Sequence, residues 1–440
     1  MLTRIGLWRI FGAVFVFAIA ILALSLNLTR SQSVQAAPSA TFPSYNPAFG
    51  PPAGWTGTVF QLSQDYPKQL PEHEDLPWEK YDFYKQPREF LLAVQKYVYE
   101  GNINRGKDEQ GNSLDWIVQK NPVRHWYHMP WRHYGDRGRE FTHGMTMEFP
   151  ASAGMLMTRQ KGTYNTYAVA FYNPIAAYTI GQVWPDPSQG PNLNGVIFHD
   201  GALIAKLLFT TAIESDVPQV QGAYQWNGYV YQNSPACLHQ GCPRVVEPVH
   251  LFQMDIAIKD SRAPQTGWVF GTYVYKYDQK DAPSVWEKMV PLGLMWGLDP
   301  QLTSADTLAR PQESIIFDVG LYEHLGCHGR LTGPLDNPNS ACESCHMTAQ
   351  YPGPYPLPNM KGFACDQSPQ NSAYWQDLQG GKVFQLQPKD PTYALDYSME
   401  MAAGVQNYYL GTQQAKLSRD GKTYTLKGHK AVYNVIRRQD

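Results

Sequence analysis

The chain has 440 residues, and its 36 lysines and arginines nearly balance 38 acidic residues, which leaves a formal charge of −2. A balance this mild, without a block of basic residues, argues against nucleic acid as a partner. Glycine and proline together make up 70 residues, and aromatic residues make up 13% of the chain. This composition predicts a loop-rich and β-rich protein and argues against a helical bundle.

Residues 1–36 have the pattern of an export leader. Arg4 and Arg9 form a basic start, an uncharged apolar run covers Ile10–Leu28, and Val34-Gln35-Ala36 offers small residues for cleavage. The apolar run is close to the length that spans a bilayer, so an uncleaved membrane anchor remains the alternative. In both cases the rest of the chain is predicted to lie in a periplasm or lumen, and an uncleaved leader would be its only membrane contact.

The remaining chain divides by composition into three parts. Residues 37–75 are rich in Pro, Gly and Ser and predict an extended linker or arm. Residues 76–310 predict a β-rich domain with a helix near its start, and residues 311–440 predict a loop-and-helix segment. The expected fold class is therefore α+β and β-rich, with an antiparallel β-sandwich or barrel-like domain.

Two helices are predicted. The first lies within 78–100, because Phe90, Val94, Tyr97 and Val98 recur on one helical face. The second is expected to start at Asp390-Pro391, because Asp caps a helix and Pro suits its first turn. Its predicted apolar stripe consists of Leu395, Met399, Ala402, Val405 and Tyr409.

Strands are predicted between these helices, at 163–172, 195–198, 202–211, 250–258 and 267–275. In the fourth of them, one face is expected to carry Phe252, Met254, Ile256 and Ile258. Residues 223–232 predict a hairpin, because Asn227-Gly228 suits a type I′ turn between two aromatic runs.

A short cysteine motif stands in the C-terminal segment. Cys342-Glu-Ser-Cys345-His346 has the spacing of a c-type haem attachment site. Two thiols three positions apart can each form a thioether with one porphyrin vinyl group, and the histidine that follows can ligate the iron. One covalently attached haem c is the expected cofactor.

Two other interpretations of the motif remain open. Cys342 and Cys345 could form half of a zinc site with Cys327 and His328, although Cys327 and His328 are adjacent rather than spaced as zinc ligands usually are. The two cysteines could also form a redox disulfide, but such a disulfide usually accompanies a βαβ pattern, which this sequence lacks.

Leader and motif together resemble c-type cytochromes, over about a tenth of the chain. The resemblance implies thioethers at Cys342 and Cys345 and makes His346 the proximal iron ligand. The distal ligand is open among Met360, His328, a histidine of the segment 125–143, and no protein ligand. The long β-rich region before the motif departs from small cytochromes c, so the resemblance leaves the redox partner undefined.

The other four cysteines form an even set for an exported protein. The predicted pairs are Cys237 with Cys242, which would close one loop, and Cys327 with Cys365, which would bracket the motif. Four cysteines allow three connectivities, so this pairing is a hypothesis.

Residues 125–143 contain His125, His128, His133 and His143, which could supply a haem ligand or a substrate pocket. No metal-ligand spacing on a helix is evident, so ordinary core and surface roles are the simpler interpretation. Other candidates for a substrate site are the nearby acids and the tryptophans of the β-rich region, which include Asp136, Glu140, Glu148, Trp126, Trp131, Trp226 and Trp268.

These features favour electron transfer with a redox partner protein. The alternatives are a haem-dependent oxidoreductase, whose β-rich domain would bind a small-molecule substrate, and a haem-based ligand sensor. No nucleophile elbow, phosphate loop or metalloprotease helix is present.

Overall fold

The fold was analysed in a computed structural model. It describes residues 41–72, 76–109, 111, 113–135, 137–233, 242–299, 302, 312–320, 326–352, 379–384 and 391–419, with side chains up to 411 in the last helix. Residues from Phe42 onward form one compact unit. The predicted leader, Cys237, Met360 and Cys365 lie outside the described residues. Within those ranges, no helix has the length and apolarity needed to cross a membrane.

The protein is α+β and is built around an antiparallel sheet of eight strands that does not close into a barrel. Its strand order is β1-β2-β3-β5-β6-β7-β8, and β4 pairs with β5. The strands are β1 (Thr146–Met147), β2 (Thr166–Tyr172), β3 (Leu203–Thr210), β4 (Gln225–Tyr231), β5 (Arg244–Lys259), β6 (Trp268–Tyr275), β7 (Met289–Met295) and β8 (Ser314–Ile316).

The two faces of this sheet carry different residues. Paired residues on neighbouring strands share a face, and successive residues alternate between faces. Lys206 of β3, Asp255 of β5 and Thr272 of β6 are register partners in one row. Their face, which also carries Phe270 of β6, is called the motif face below. The opposite face carries Ile256 and its partners and is called the helix face.

Helix α1 (Pro87–Tyr99) packs on the helix face. Its Pro87 occupies the first turn, where a missing N–H costs nothing. Leu91 and Val94 are fully buried, and the Tyr273 hydroxyl donates to the Leu91 carbonyl at 2.6 Å. The helix is shorter than the predicted 78–100 span, because the chain makes turns before Pro87.

The C-terminal segment packs on the motif face. Helix α2 (Pro174–Val183) precedes this segment in the chain. The segment itself contains the short helix α3 (Cys342–His346) and the long helix α4 (Met399–Arg419). A small antiparallel sheet joins them in the order β10-β11-β9, formed by β9 (Gln350–Tyr351), β10 (Val383–Phe384) and β11 (Thr392–Ala394). The apolar core is continuous between this segment and the large sheet.

Helix α4 begins later than predicted. Residues 392–394 form β11 and pair with β9 and β10, so the chain is extended where the sequence suggested a first helical turn. Ser398 precedes the helix, and its hydroxyl accepts from the Met401 N–H at 3.3 Å. Of the predicted stripe, Leu395 therefore lies before the helix, while Val405 is fully buried within it.

The predicted hairpin at Asn227-Gly228 is wrong. Both residues lie inside β4, which pairs with β5 from Gln225–His250 to Tyr231–Arg244. Gly228 lies in a tightly packed position, because a Cβ there would meet Val230 Cγ1 at 3.0 Å and Met145 Cε at 3.1 Å. A glycine in a strand interior often marks such a close approach.

Four of the five other predicted strands are confirmed, and one is wrong. Strands β2, β3, β5 and β6 confirm four of them, whereas residues 195–198 form no strand. Phe252 departs from its predicted face, because a β-bulge shifts the register beside it and places it with Ala168 and Leu208 in a second cluster.

Candidate functional site

Helix α3 presents the motif residues on one side. Cys342 and Cys345 are one helical turn apart, and His346 follows on the same side because positions i, i+3 and i+4 share a helix face. These three residues are half-buried, whereas the two spacers, Glu343 and Ser344, are completely buried. The helix therefore turns the thiols and the imidazole toward its accessible side, as attachment of a cofactor requires.

Backbone bonds fix α3 to the rest of the fold. The Cys342 N–H donates to the Leu331 carbonyl at 3.0 Å, and the Glu343 N–H approaches Met295 Sδ of β7 at 3.4 Å. The Cys345 N–H closes the helical turn onto the Ala341 carbonyl at 3.0 Å. A helix this short has little stability of its own, so these contacts determine its position.

The imidazole of His346 has a defined orientation. Its Nδ1 lies 2.8 Å from the Tyr397 carbonyl oxygen, and its ring centroid lies 4.7 Å from that of Phe270. A carbonyl oxygen can only accept, so Nδ1 carries the proton and Nε2 retains its lone pair. Burial lowers the pKa of His346 to about 4, against the smaller opposing effect of the Tyr397 bond. A neutral imidazole with an available Nε2 is the form that ligates iron.

The Tyr397 carbonyl belongs to a strained turn between β11 and α4. Asp396 has a φ of 44° and Tyr397 a φ of 65°, which is the left-handed region. Non-glycine residues in this region cost about 1–3 kcal/mol each and concentrate at functional sites. The strained turn thus supplies the acceptor for His346.

The thiols of the motif are free and protonated. Cys342 and Cys345 form no disulfide. Burial raises the pKa of the Cys345 thiol to about 11, and it raises the pKa of Cys342 well above its ordinary value. Two free thiols on one side of a helix are the form that thioether attachment to a porphyrin requires.

Cys242 and Cys327, unlike the motif cysteines, each take part in a disulfide bond. A disulfide at Cys327 removes the thiolate that the zinc interpretation required, and the described residues contain no group of three metal-ligating side chains. The predicted partners, Cys237 and Cys365, lie outside the described residues, so the pairing stays a prediction.

A charged cluster on the motif face adjoins the thiols, and sequence reasoning missed it. The Thr272 hydroxyl donates to Asp255 Oδ1 at 2.9 Å and lies 3.9 Å from Cys342 Sγ. The Gln253 amide donates to Asp255 Oδ1 at 2.8 Å and to Asp336 Oδ2 at 2.8 Å. Lys206, in the same row, pairs with Glu148 at 3.5 Å.

Three groups of this cluster have pKa values shifted from their ordinary values. Burial raises the pKa of Asp255 well above its ordinary value, and the neighbouring Asp336 charge adds to the effect. Burial also raises the pKa of Asp336. Burial lowers the pKa of Lys206, but Glu148, Asp336 and Asp255 together hold it above the ordinary value. The site combines a protonated lysine with two carboxyl groups that share one amide donor.

Two of the four histidines in 125–143 lie on the helix face. His128 and His143 line a cavity of about 70 Å³ together with Phe171 and Leu207. His143 stacks on Trp226 with ring centroids 4.0 Å apart. The sheet separates this cavity from His346, so the structure does not bring His128 or His143 together with the motif residues.

The other two histidines have ordinary surroundings. His125 is largely exposed and lies 3.5 Å from Asp65. His133 is half-buried beside Trp131, and burial lowers its pKa to about 4. Neither contacts the motif residues within the described part of the chain.

The predicted acids and tryptophans do not form one substrate surface. Glu140 is buried against Arg244, Glu148 joins the charged cluster, and Asp136 lies outside the described residues. Trp126, Trp226 and Trp268 lie in the apolar core, and Trp131 is partly buried against it.

The remaining candidates for the distal position have different outcomes. Met360 lies outside the described residues, so its role stays a prediction. His328 is half-buried, with a φ of 49°, in a turn whose Cys327 N–H donates to the Ser340 carbonyl at 2.8 Å. This places His328 beside the start of α3 without defining its reach. Met347 and Met401 are fully buried in the core.

Comparison with known proteins gave no relative for this chain. No family model, curated protein or solved structure is significantly similar to it.

Proposed function

We propose that the protein is an exported c-type cytochrome that carries one covalent haem and exchanges electrons with a redox partner protein. The observation that carries this proposal is the arrangement of α3. Two free thiols and an imidazole share its accessible side, and the imidazole is held by the Tyr397 carbonyl with Nε2 available.

Each motif residue has a defined role in this proposal. Cys342 and Cys345 hold the porphyrin through thioether bonds, His346 ligates the iron through Nε2, and Phe270 packs against the imidazole. A bound haem supplies a one-electron couple between ferric and ferrous iron. Met360 would raise the potential of that couple as a distal thioether ligand, whereas His328 would lower it.

The other cysteines support an exported location. Cys242 and Cys327 are disulfide-bonded, and disulfides persist mainly outside the cytoplasm. This agrees with the proposed leader at 1–36 and with delivery to a periplasm or lumen.

The test is an absorption spectrum of the exported protein, oxidised and reduced, with a haem stain after a denaturing gel. The proposal expects covalent haem and sharp reduced α and β bands. A Cys342→Ser/Cys345→Ser variant should lose all stain, and Cys242→Ser should keep it, since Cys242 takes no part in attachment. Wild-type protein without stain would overturn the proposal.

The charged cluster favours a second candidate function, a haem-dependent oxidoreductase. Asp255 and Asp336 share the Gln253 donor beside Cys342, and carboxyl groups with raised pKa values are typical acid–base groups. Such a protein would leave the sixth iron position open. Addition of carbon monoxide to the reduced protein distinguishes the two, because a spectral shift requires an open position and a low-spin carrier gives none.

A further inference from the structure

The Asp396 carboxylate holds together three separate parts of the fold. It is 1% exposed. Its Oδ1 accepts from Lys259 Nζ at 2.9 Å and from Trp268 Nε1 at 3.0 Å. Its Oδ2 accepts from the Phe198 N–H at 2.7 Å and also lies 3.1 Å from Lys259 Nζ. Donors from β5, β6 and the loop before β3 therefore fix the side chain.

This carboxylate fixes the turn that presents the Tyr397 carbonyl. Asp396 and Tyr397 are consecutive left-handed residues, and such a backbone persists only where its surroundings over-determine it. The four bonds of Asp396 supply that constraint on one side. The Leu395 N–H, which donates to the Ala349 carbonyl at 2.9 Å, supplies it on the other.

The position of that carbonyl matters to His346. A bond from Nδ1–H to a fixed acceptor sets the tautomer and orientation of a ligating imidazole and raises its basicity. A more basic imidazole stabilises the ferric state and so lowers the reduction potential, for which hydrogen bonding beyond the ligand is a recognised control.

The geometry points to Asp396 as the positioning residue of the iron ligand, acting through the Tyr397 carbonyl on His346. This inference rests on the proposed haem function. It assigns a role in tuning the potential to a residue that lies outside the motif and contacts neither thiol nor imidazole.

Charge alone could also alter the potential, so the experiment separates charge from position. Asp396→Asn keeps the shape and the tolerance for a left-handed backbone, but it removes the anion and weakens the bonds from Lys259 and Trp268. Lys259→Met removes the compensating cation. The double variant restores charge balance while leaving the turn without its carboxylate.

The measurements are the midpoint potential and the electron paramagnetic resonance spectrum of the ferric holoprotein, which reports the donor strength of the axial imidazole. We expect Asp396→Asn and the double variant both to raise the potential and to shift the spectrum in the same direction. Lys259→Met alone removes two of the four bonds to the carboxylate but leaves the donors of Trp268 and Phe198. We therefore expect it to shift the resonance spectrum in the same direction by a smaller amount, and the loss of a cation should place its potential below that of the other two variants.

Return of the double variant to the wild-type potential and spectrum would overturn the inference, because charge would then explain the effect. If Asp396→Asn does not fold, Trp268→Phe removes one donor to the carboxylate and should raise the potential by a smaller amount. An unchanged potential in Trp268→Phe would then overturn it. Wild-type protein without haem refutes the proposed function itself, whereas normal haem with unaltered variants refutes only the role of Asp396.

Discussion

His128 and His346 lie on opposite faces of one sheet, and in both the Nδ1 atom lies beside a backbone carbonyl oxygen. The Nδ1 of His128 lies 2.9 Å from the Ala170 carbonyl oxygen, and that of His346 lies 2.8 Å from the Tyr397 carbonyl oxygen. Burial is the largest cause that lowers the pKa of both rings, to about 3 and about 4. Neither burial nor tautomer distinguishes a structural histidine from a candidate ligand here.

The second ring nitrogen makes the difference. Nε2 of His128 contacts the Gln119 amide nitrogen at 3.1 Å, so its hydrogen-bonding capacity is used. Among the described residues, none bonds Nε2 of His346. The two histidines therefore differ in whether Nε2 has a hydrogen-bond partner among the described residues, and an available Nε2 is what the proposed iron ligand needs.

Substitution of each histidine by alanine should give the largest contrast in absorption spectrum and stability. His346→Ala should abolish the low-spin haem spectrum, because the iron loses its proximal ligand, while the thioethers still retain haem on a denaturing gel. His128→Ala should keep the spectrum and lose about 1–3 kcal/mol of stability through its unpaired partners. Spectra and urea unfolding of both variants check this; a normal spectrum in His346→Ala would contradict the ligand assignment.

The packing of the helix face can be tested without touching the motif face. Leu91 is fully buried in α1 and its neighbour Leu92 is 45% exposed. Leu91→Ala should cost about 2–5 kcal/mol through lost burial and a residual cavity. Leu92→Ala is the matched control and should stay within about 0.5 kcal/mol. Denaturant titration measures both; equal losses would show that α1 is not packed as described.

Acidification should reduce the stability that His128 contributes to the fold. Its folded pKa of about 3 lies below the ordinary value, so only the unfolded chain binds a proton between those two pH values. The stability this histidine contributes is therefore full above its unfolded pKa and is lost as pH falls, by at most about 1.4 kcal/mol per pH unit.

Other groups change stability in the opposite direction as pH falls, because burial raises the pKa of Glu140 to about 7. The informative quantity is thus the difference between wild type and His128→Phe, measured by urea unfolding from pH 7 to pH 4. The wild type should lose more stability on acidification than the variant. Parallel curves would show that His128 is protonated in the folded protein.

The smallest expected effect concerns the charged cluster of the motif face. Lys206→Met removes the cation beside Glu148, and the partly exposed setting limits the cost of losing this pair to about 0.2–1 kcal/mol. Without the lysine, the folded carboxyl groups of Asp255 and Asp336 resist ionisation more, so the loss should increase as pH rises from 5 to 8. Unfolding at both pH values measures it. A loss that decreases with pH would contradict the arrangement of the cluster.

Local sequence patterns predicted the parts of the site and fold that depend on neighbours in the chain. The Cys342-to-His346 spacing predicted two thiols and an imidazole close enough to serve one group, and strand-favouring residues between turn signals predicted β2, β3, β5 and β6. The same local rules failed at Asn227-Gly228, where pairing of β4 with β5 outweighed turn preference. They also failed after Pro391, where residues 392–394 pair as a strand and do not begin a helix.

The sequence by itself determined the motif, the α+β class and the chemistry available to the cysteines, because these follow from residue type and short spacing. Only the tertiary structure decided which histidines lie on the motif face, which cysteines remain free, and how the Tyr397 carbonyl meets His346. It also brought Lys206, Asp255 and Asp336 together from separate elements. Contacts of this kind join residues far apart in the chain, and their formation depends on strand register and packing that no local pattern encodes.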